Sequence, residues 1–150
     1  IGSYIPNDIE EIVNFCKKKK IYLIEDCAHA VLTNFKGKYA GNFGDAGAFS
    51  FYSTKSIASG EGGMITTNNF KLYKKMKLLT SYGMTKRYGT FDYKYFSSNY
   101  RMNEMEAIIG YHHLVNYKFY LDRKIEIRNI YNKFLENKVK VFETKSEGNL

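Results

Sequence analysis

Apolar residues recur at helical spacing near the start of the chain. Ile9, Ile12, Val13 and Cys16 follow the i, i+3, i+4, i+7 rule and predict a helix with one buried face. Pro6, Asn7 and Asp8 stand before it. Asn7 reads as the N-cap, with Glu10 as its capping-box partner three residues on. Asp8, Glu10 and Glu11 crowd the first turn and Lys17 to Lys20 the last, an order that complements the helix dipole. The period then changes. Ile21 to Ile24 is a continuous apolar run, which after a helix predicts a strand buried on both faces, as in a parallel sheet. Glu25 and Asp26 follow at its carboxyl end, the side on which open α/β sheets bind ligands.

Phe35 to Tyr39, with Lys36, Gly37 and Lys38 inside, predicts a hairpin turn, and Gly41 to Asp45 a loop. Ala46 to Tyr52 and Met64 to Thr67 predict two strands, with Lys55 in the turn beyond the first. Asn68 or Asn69 caps a helix running to about Thr80, with Leu72, Met76 and Leu79 inward. Ser81 to Ser98 shows no clear periodicity and reads as a long aromatic and polar loop, a length that is often functional. Asn103 caps the next helix with Glu106 at its third position, and Met105, Ile108, Ile109 and His112 share a face. The pattern continues through Val115, Phe119, Ile127, Ile130, Tyr131, Phe134 and Leu135. It predicts one long helix to about Asn137, bent near Asn116. Val139 to Phe142 predicts the start of a strand, and Glu143 to Leu150 a loop.

Composition changes this picture little. A chain of 150 residues is one ordinary domain by length, and 44% apolar content with 17% aromatics suffices for a core. The net charge of +8 favours anionic partners: nucleic acid, phosphorylated small molecules or anionic membrane. The lysines are dispersed, however, and their one run reads as a solvated helix end, so charge alone is thin support for nucleic-acid binding. Cys16 and Cys27 form no CxxC pair and no disulfide framework, so a reducing cytoplasm is the default expectation. No apolar run approaches the roughly 20 residues that span a bilayer, and no membrane association is expected. The first residue is Ile, and the chain opens directly on a turn and a helix. Both features lead to the expectation that it is part of a longer protein.

Among chemistry-bearing residues, Asp26 and Lys55 stand out together. Each follows an apolar strand, and parallel neighbours in one sheet would bring both strand ends to one edge. Two readings remain open. One is a plain ion pair. The other is a lysine that forms a Schiff base, with a carboxylate orienting a cofactor; such a lysine needs surroundings that favour its neutral form. Gly60, Gly62 and Gly63 suit either an anion-binding nest or an ordinary tight turn before a strand. His29 is alone, and His112 and His113 point to different helix faces, so no metal site is expected. Spacing supports no Ser-His-Asp or Cys-His arrangement. The basic, Tyr-rich stretch from Lys86 to Tyr95 suits a nucleic-acid surface, a substrate loop or a subunit contact.

Three stretches carry a resemblance. IEDCAHA (Ile24 to Ala30), GNFGDAGAFSFYSTKSIASGEGGMITT (Gly41 to Thr67) and NYRMNEMEAIIGYHHL (Asn99 to Leu114) resemble the DegT/DnrJ/EryC1/StrS family of pyridoxal-phosphate sugar aminotransferases. The resemblance covers nearly the whole chain. It implies an α/β fold: part of the large domain of the aspartate-aminotransferase (fold type I) architecture, a mostly parallel sheet flanked by helices, with a long C-terminal helix leading toward the small domain. Residues 1–115 would belong to the cofactor-binding large domain, and 116–150 to the linking helix and the start of the small domain. The N-terminal part of the large domain would lie outside the chain, and the 150 residues alone are expected not to turn over.

Site roles follow residue by residue from the same resemblance. Lys55 matches the lysine that holds pyridoxal 5'-phosphate covalently and, when released, shuttles a proton. Asp26 matches the carboxylate paired with the pyridinium nitrogen. His29 matches the Gln or His against the cofactor ring, Ser50 the serine on its phosphate, and Asn99 an asparagine that reaches the phosphate in the other subunit. Arg101 lies in the same motif without an assigned role. The implied activity is transfer of an amino group from a donor such as glutamate to a keto-sugar, typically nucleotide-linked, by a homodimer with shared sites. Amino-sugar and surface-polysaccharide synthesis is the implied setting. The alternatives are a non-catalytic or truncated cofactor-binding homologue and, on charge alone, a nucleic-acid-binding domain.

Overall fold

The structure is a computed structural model that describes residues 3–87, 90–135 and 138–139. Its first helix, α1 (Ile9–Lys19), buries Ile9, while Ile12, Val13 and Cys16 are half-buried on the same side. The cap falls at Asp8 rather than Asn7, and no side chain caps it. Instead the amides of Glu11 and Ile12 take the Asp8 carbonyl. The helix closes on Lys20 in the left-handed region, φ 57°.

Among the described residues, seven strands and three more helices follow: β1 (Ile24–Asp26), β2 (Asn34–Phe35), β3 (Lys38–Tyr39), β4 (Ala46–Ser50), β5 (Gly63–Thr66), α2 (Phe70–Leu79), β6 (Met84–Arg87), β7 (Thr90–Tyr93), α3 (Glu104–Val115) and α4 (Tyr117–Leu135). The central sheet has the order β1-β4-β5, with β1 parallel to β4 and β5 antiparallel to β4. The β1 register pairs Ile24 with Ala46 and Asp26 with Ala48. Strand β1 therefore begins where the expected run, Ile21 to Ile24, was to end. Nor is it buried on both faces. Among the described residues it pairs on one edge only, and Tyr22 and Ile24 are 83% and 60% exposed.

The predicted hairpin is β2–β3, where Phe35 faces Lys38 across Lys36 and Gly37, both at positive φ. A second hairpin, β6–β7, occupies part of the stretch expected to be loop. Its register pairs Met84 with Tyr93 and Thr85 with Asp92. The core cluster is Ile5, Ile9, Cys27, Ala30, Phe35, Ala40 and Phe43, with Val13 and Phe49 packed against it. It lies where α1, the turn after β1 and the β2–β3 hairpin meet. The apolar stripes of α3 and α4 are uncovered among the described residues: Met105 is 73% exposed and Phe119 70%.

Two helix starts fall where the sequence places them. Asn103 accepts from the Glu106 amide at 2.9 Å while the Glu106 carboxylate takes the Asn103 amide, a closed capping box. Asn69 Oδ1 accepts from the amides of Lys71 and Leu72. Replacing Asn69 by Ala leaves those donors to water and is expected to cost about 1 kcal/mol in chemical unfolding. The long helical pattern breaks at Asn116, which caps α3, and α4 starts one residue later. Of the strand expected from Val139 to Phe142, residues 140–142 lie outside the described residues, as does the loop from Glu143 on.

Candidate active site

Asp26 closes β1, and Lys55 sits in the turn beyond β4. Because these strands are parallel neighbours, both residues come to the same edge of the sheet. The turn at Lys55 is built locally, its amide bonding the Tyr52 carbonyl at 2.9 Å. The chain then comes back as Ile57, Ala58 and Ser59, all buried, and Ser59 donates to the Glu61 carbonyl at 2.6 Å. Gly62 ends this return at φ 146°, where a Cβ would lie 2.5 Å from Met102 and 2.7 Å from Ser59 Oγ. The Gly60–Gly63 cluster is thus a tight return into β5.

His29 reaches the same place from the other strand. Its Nε2 lies 2.8 Å from Lys55 Nζ. When the lysine is an ammonium, which has only donors, Nε2 is the acceptor; a neutral amine can also accept from an Nε2 proton. The turn that presents His29 is held twice. The Ala28 amide donates to Asp26 Oδ1 at 3.1 Å, and Ser3 donates to the His29 carbonyl at 2.6 Å. Ser50 is the last residue of β4, and its Oγ accepts from the Tyr52 amide at 3.3 Å. Asn99 stands elsewhere. It bridges to Ser81 and accepts from the Arg101 amide, and no bond joins it to Asp26, His29, Ser50 or Lys55 among the described residues. Arg101 donates to Ser81 Oγ at 2.7 Å and lies over the Tyr82 ring.

Two groups around the site were not singled out by sequence. Glu25 accepts from three backbone amides, those of Gly41, Phe43 and Gly44, each at 2.7 Å. That pins the loop before β4 onto β1, next to Asp26. Gly41 is then so close to Gly47 that a Cβ on Gly47 would collide with its backbone. Lys124 of α4 donates to Ser56 Oγ at 3.1 Å, which ties the far helix to the Lys55 turn.

Cys27, between Asp26 and the core, is 2% exposed. Burial first, then the charges of Glu25 and Asp26, push its thiol from 9.0 up to about 11. Because the folded value is the higher one, its contribution to stability is complete below pH 9 and is lost as pH rises from there through about 11. Alkylation at pH 8 is accordingly expected to modify the half-buried Cys16 and spare Cys27, read by peptide mass. A cavity of about 910 Å³ lies against β4, β5 and α2. It is lined by Met64, Ile65, Met76 and Tyr100, and by none of the expected site residues.

A carboxylate and an amine at one strand edge, with an imidazole on the amine, suit a cofactor held between them. The comparisons with known proteins decide the family. Its sequence profile, described as the DegT/DnrJ/EryC1/StrS aminotransferase family, matches residues 3–149. The chain belongs to that family. It is 38% identical over 136 residues to GDP-perosamine synthase of Escherichia coli O157:H7, covering 91% of this chain and 37% of that one. It is 36% identical over 130 residues to the UDP-4-amino-4,6-dideoxy-N-acetyl-beta-L-altrosamine transaminase of Campylobacter jejuni, covering 86% and 35%. Among solved structures, Helicobacter pylori PseC, an aminotransferase involved in the biosynthesis of pseudoaminic acid, superposes with a TM-score of 0.82 at 30% identity over 89% of this chain and 36% of that one. The chain thus spans little more than a third of the length of these relatives. Among its described residues no helix is long and apolar enough to cross a membrane.

Proposed function

We propose that the chain carries the lysine and carboxylate of a pyridoxal-phosphate-dependent transamination. The amino group would pass from a donor such as glutamate to a keto-sugar linked to a nucleotide, in the cytoplasm, toward amino-sugar and surface-polysaccharide synthesis. One observation carries the reading. Asp26 and Lys55 share an edge on adjacent parallel strands, with His29 in contact with the Lys55 amine at 2.8 Å. The names of the relatives support it, since they act on nucleotide sugars.

The residues present fit the cofactor. Asp26 takes one hydrogen bond among the described residues, from the Ala28 amide, which leaves carboxylate capacity for a protonated ring nitrogen. Lys55 is half-buried and has no carboxylate partner among the described residues, so its amine is open to covalent use. When bound, pyridoxal phosphate supplies an electron sink for proton removal at the amino-bearing carbon. Everything else is the work of this chain. Asp26 would keep the ring nitrogen protonated. Lys55 would anchor the cofactor and, once free, carry the proton, with His29 Nε2 holding its Nζ in place. Ser50 would take the phosphate from the end of β4, and His29 would flank the ring.

Asn99 is assigned to the cofactor of a second subunit, which agrees with its separation from Lys55 and makes the proposed assembly a homodimer. Residues 1–115 are assigned to the cofactor-binding domain, and 116–150 to the linking helix and the small domain that follows.

The test is turnover by the purified full-length protein loaded with pyridoxal phosphate and given glutamate and a keto-sugar nucleotide. Release of 2-oxoglutarate is expected. Asp26→Asn, which removes the charge and keeps the shape, is expected to lower that rate by roughly 10² or more. Cofactor binding with no turnover on any keto-sugar nucleotide would instead indicate a non-catalytic homologue.

A further inference from the structure

Behind the Lys55 turn lies a second cavity, of about 190 Å³, between that turn and α4. Val31 and Leu121 contribute apolar lining. The polar lining includes the hydroxyl residues Ser56, Tyr117 and Tyr120, and two cations one helical turn apart, Lys124 and Arg128. No carboxylate lines it. The charge pattern on α4 is uneven. Lys118 pairs with Asp122 at 3.5 Å and Arg123 with Glu126 at 2.6 Å, yet neither lines the cavity. The two cations that do line it have no carboxylate partner among the described residues. Lys124 spends one donor on Ser56 Oγ, which fixes its amine at the mouth and leaves further donors free.

Two cations and four hydroxyl residues, Ser3 included, with no anion among them, are what an anionic oxygen group needs. We propose that this cavity is an anion subsite. It takes a phosphate or carboxylate group of a small substrate and holds it beside the turn that carries Lys55. The size agrees. About 190 Å³ is room for several waters, enough for a diphosphate or a short dicarboxylate. Arg128 supplies a planar fork that a phosphate or carboxylate can take bidentately, and Lys124 a point charge. Ser56 follows Lys55 directly in sequence, so an anion drawing Lys124 away from Ser56 Oγ would act on the Lys55 turn itself.

That the anion belongs to a substrate rests on the proposed function; the binding does not. The holoenzyme, its cofactor site filled, is titrated calorimetrically with inorganic pyrophosphate at low salt. Parent, Lys124→Gln and Arg128→Gln proteins are compared, and thermal midpoints confirm that each is folded. Both side chains are exposed, so both variants are expected to fold. Binding is expected in the parent, at least tenfold weaker in each variant, and weaker still as salt is raised. A loss in Lys124→Gln alone overturns the proposal, because a simple brace to Ser56 predicts that pattern. Equal binding in all three proteins, or none in the parent, also overturns it. Displacement of pyrophosphate by a nucleoside diphosphate assigns the subsite to the sugar nucleotide. Displacement by glutarate assigns it to the amino donor, and displacement by neither overturns the substrate role. Pyrophosphate binding that needs both cations, in a protein without transaminase turnover, would leave the subsite standing and sink the functional reading.

Discussion

Lys55→Ala is expected to abolish covalent retention of pyridoxal phosphate and to lower transaminase turnover by roughly 10³ or more, the range for removing both an anchoring amine and a positioned proton carrier. The reasons are geometric. Lys55 is the amine at the edge where β1 and β4 end, and its Nζ is already aligned on His29 Nε2 at 2.8 Å. Among the described residues, no other lysine is bonded to His29. Lys124 is held on Ser56 at 3.1 Å on the α4 side of the turn. Lys55→Arg should fare no better, since a guanidinium does not give up its proton in a protein. Stability should hardly change, because the side chain is half-exposed and its partner His29 can bond water instead. The measurement is a pair of readings on each variant, 2-oxoglutarate release and urea midpoint. A Lys55→Ala protein within tenfold of the parental rate contradicts the assignment.

Glu25→Ala has the opposite signature, a large effect on stability that carries activity with it. One carboxylate here serves three amides, with Oε2 on Gly41 and Oε1 on Phe43 and Gly44. These are charge-assisted bonds in a part-buried loop, and removing the acceptor strands three donors at once. A cost of about 3 kcal/mol is expected, a sum well below three full desolvation penalties because water reaches part of the loop. Glu25→Gln keeps an oxygen for one end but turns an NH₂ toward the other, and should fall about halfway. The loop matters because Phe43 belongs to the core and Gly41 packs on Gly47 of β4, one strand from Asp26. A lower urea midpoint at unchanged m-value is the expected readout. Equal midpoints for Glu25→Ala and the parent would mean that water replaces the carboxylate without loss.

What could be read from the sequence depended on how local the information is. The Asn103–Glu106 box and the α2 cap are settled within four residues; the box was legible, and the cap to within one residue, Asn68 or Asn69. Pro6, Asn7 and Asp8 offer two cap-forming side chains in a row. Neither side chain makes the bond in the end, so residue type did not discriminate between them. Strand β1 shifted toward its carboxyl end because its limits are set by pairing with Ala46–Ala48, some twenty residues away, and not by hydropathy. The β6–β7 hairpin was invisible for a similar reason. MTKR does not alternate, TFDY alternates over only four residues and all of them are exposed, and the ladder rests on backbone bonds.

At the site, the meeting of Asp26 and Lys55 at one edge was legible from two strand ends and the expectation of parallel pairing. The His29–Lys55 contact spans 26 residues, and spacing alone could not give it; the resemblance placed both against one cofactor. Glu25 was passed over because its three partners lie 16 to 19 residues on, in a loop whose side chains give no sign of needing an acceptor. Lys124 lies 68 residues from Ser56, and only the fold joins them.

The central claim is that Lys55 is the residue to which the cofactor is attached. Borohydride reduction of the gene product loaded with pyridoxal phosphate, followed by proteolysis and peptide mass mapping, tests it directly. The account predicts one stoichiometric pyridoxyl mark within the peptide around STKSIASGEGG, on Lys55, absent from Lys55→Ala. A mark on another lysine, or labelling of many lysines at sub-stoichiometric levels with Lys55 untouched, would contradict it.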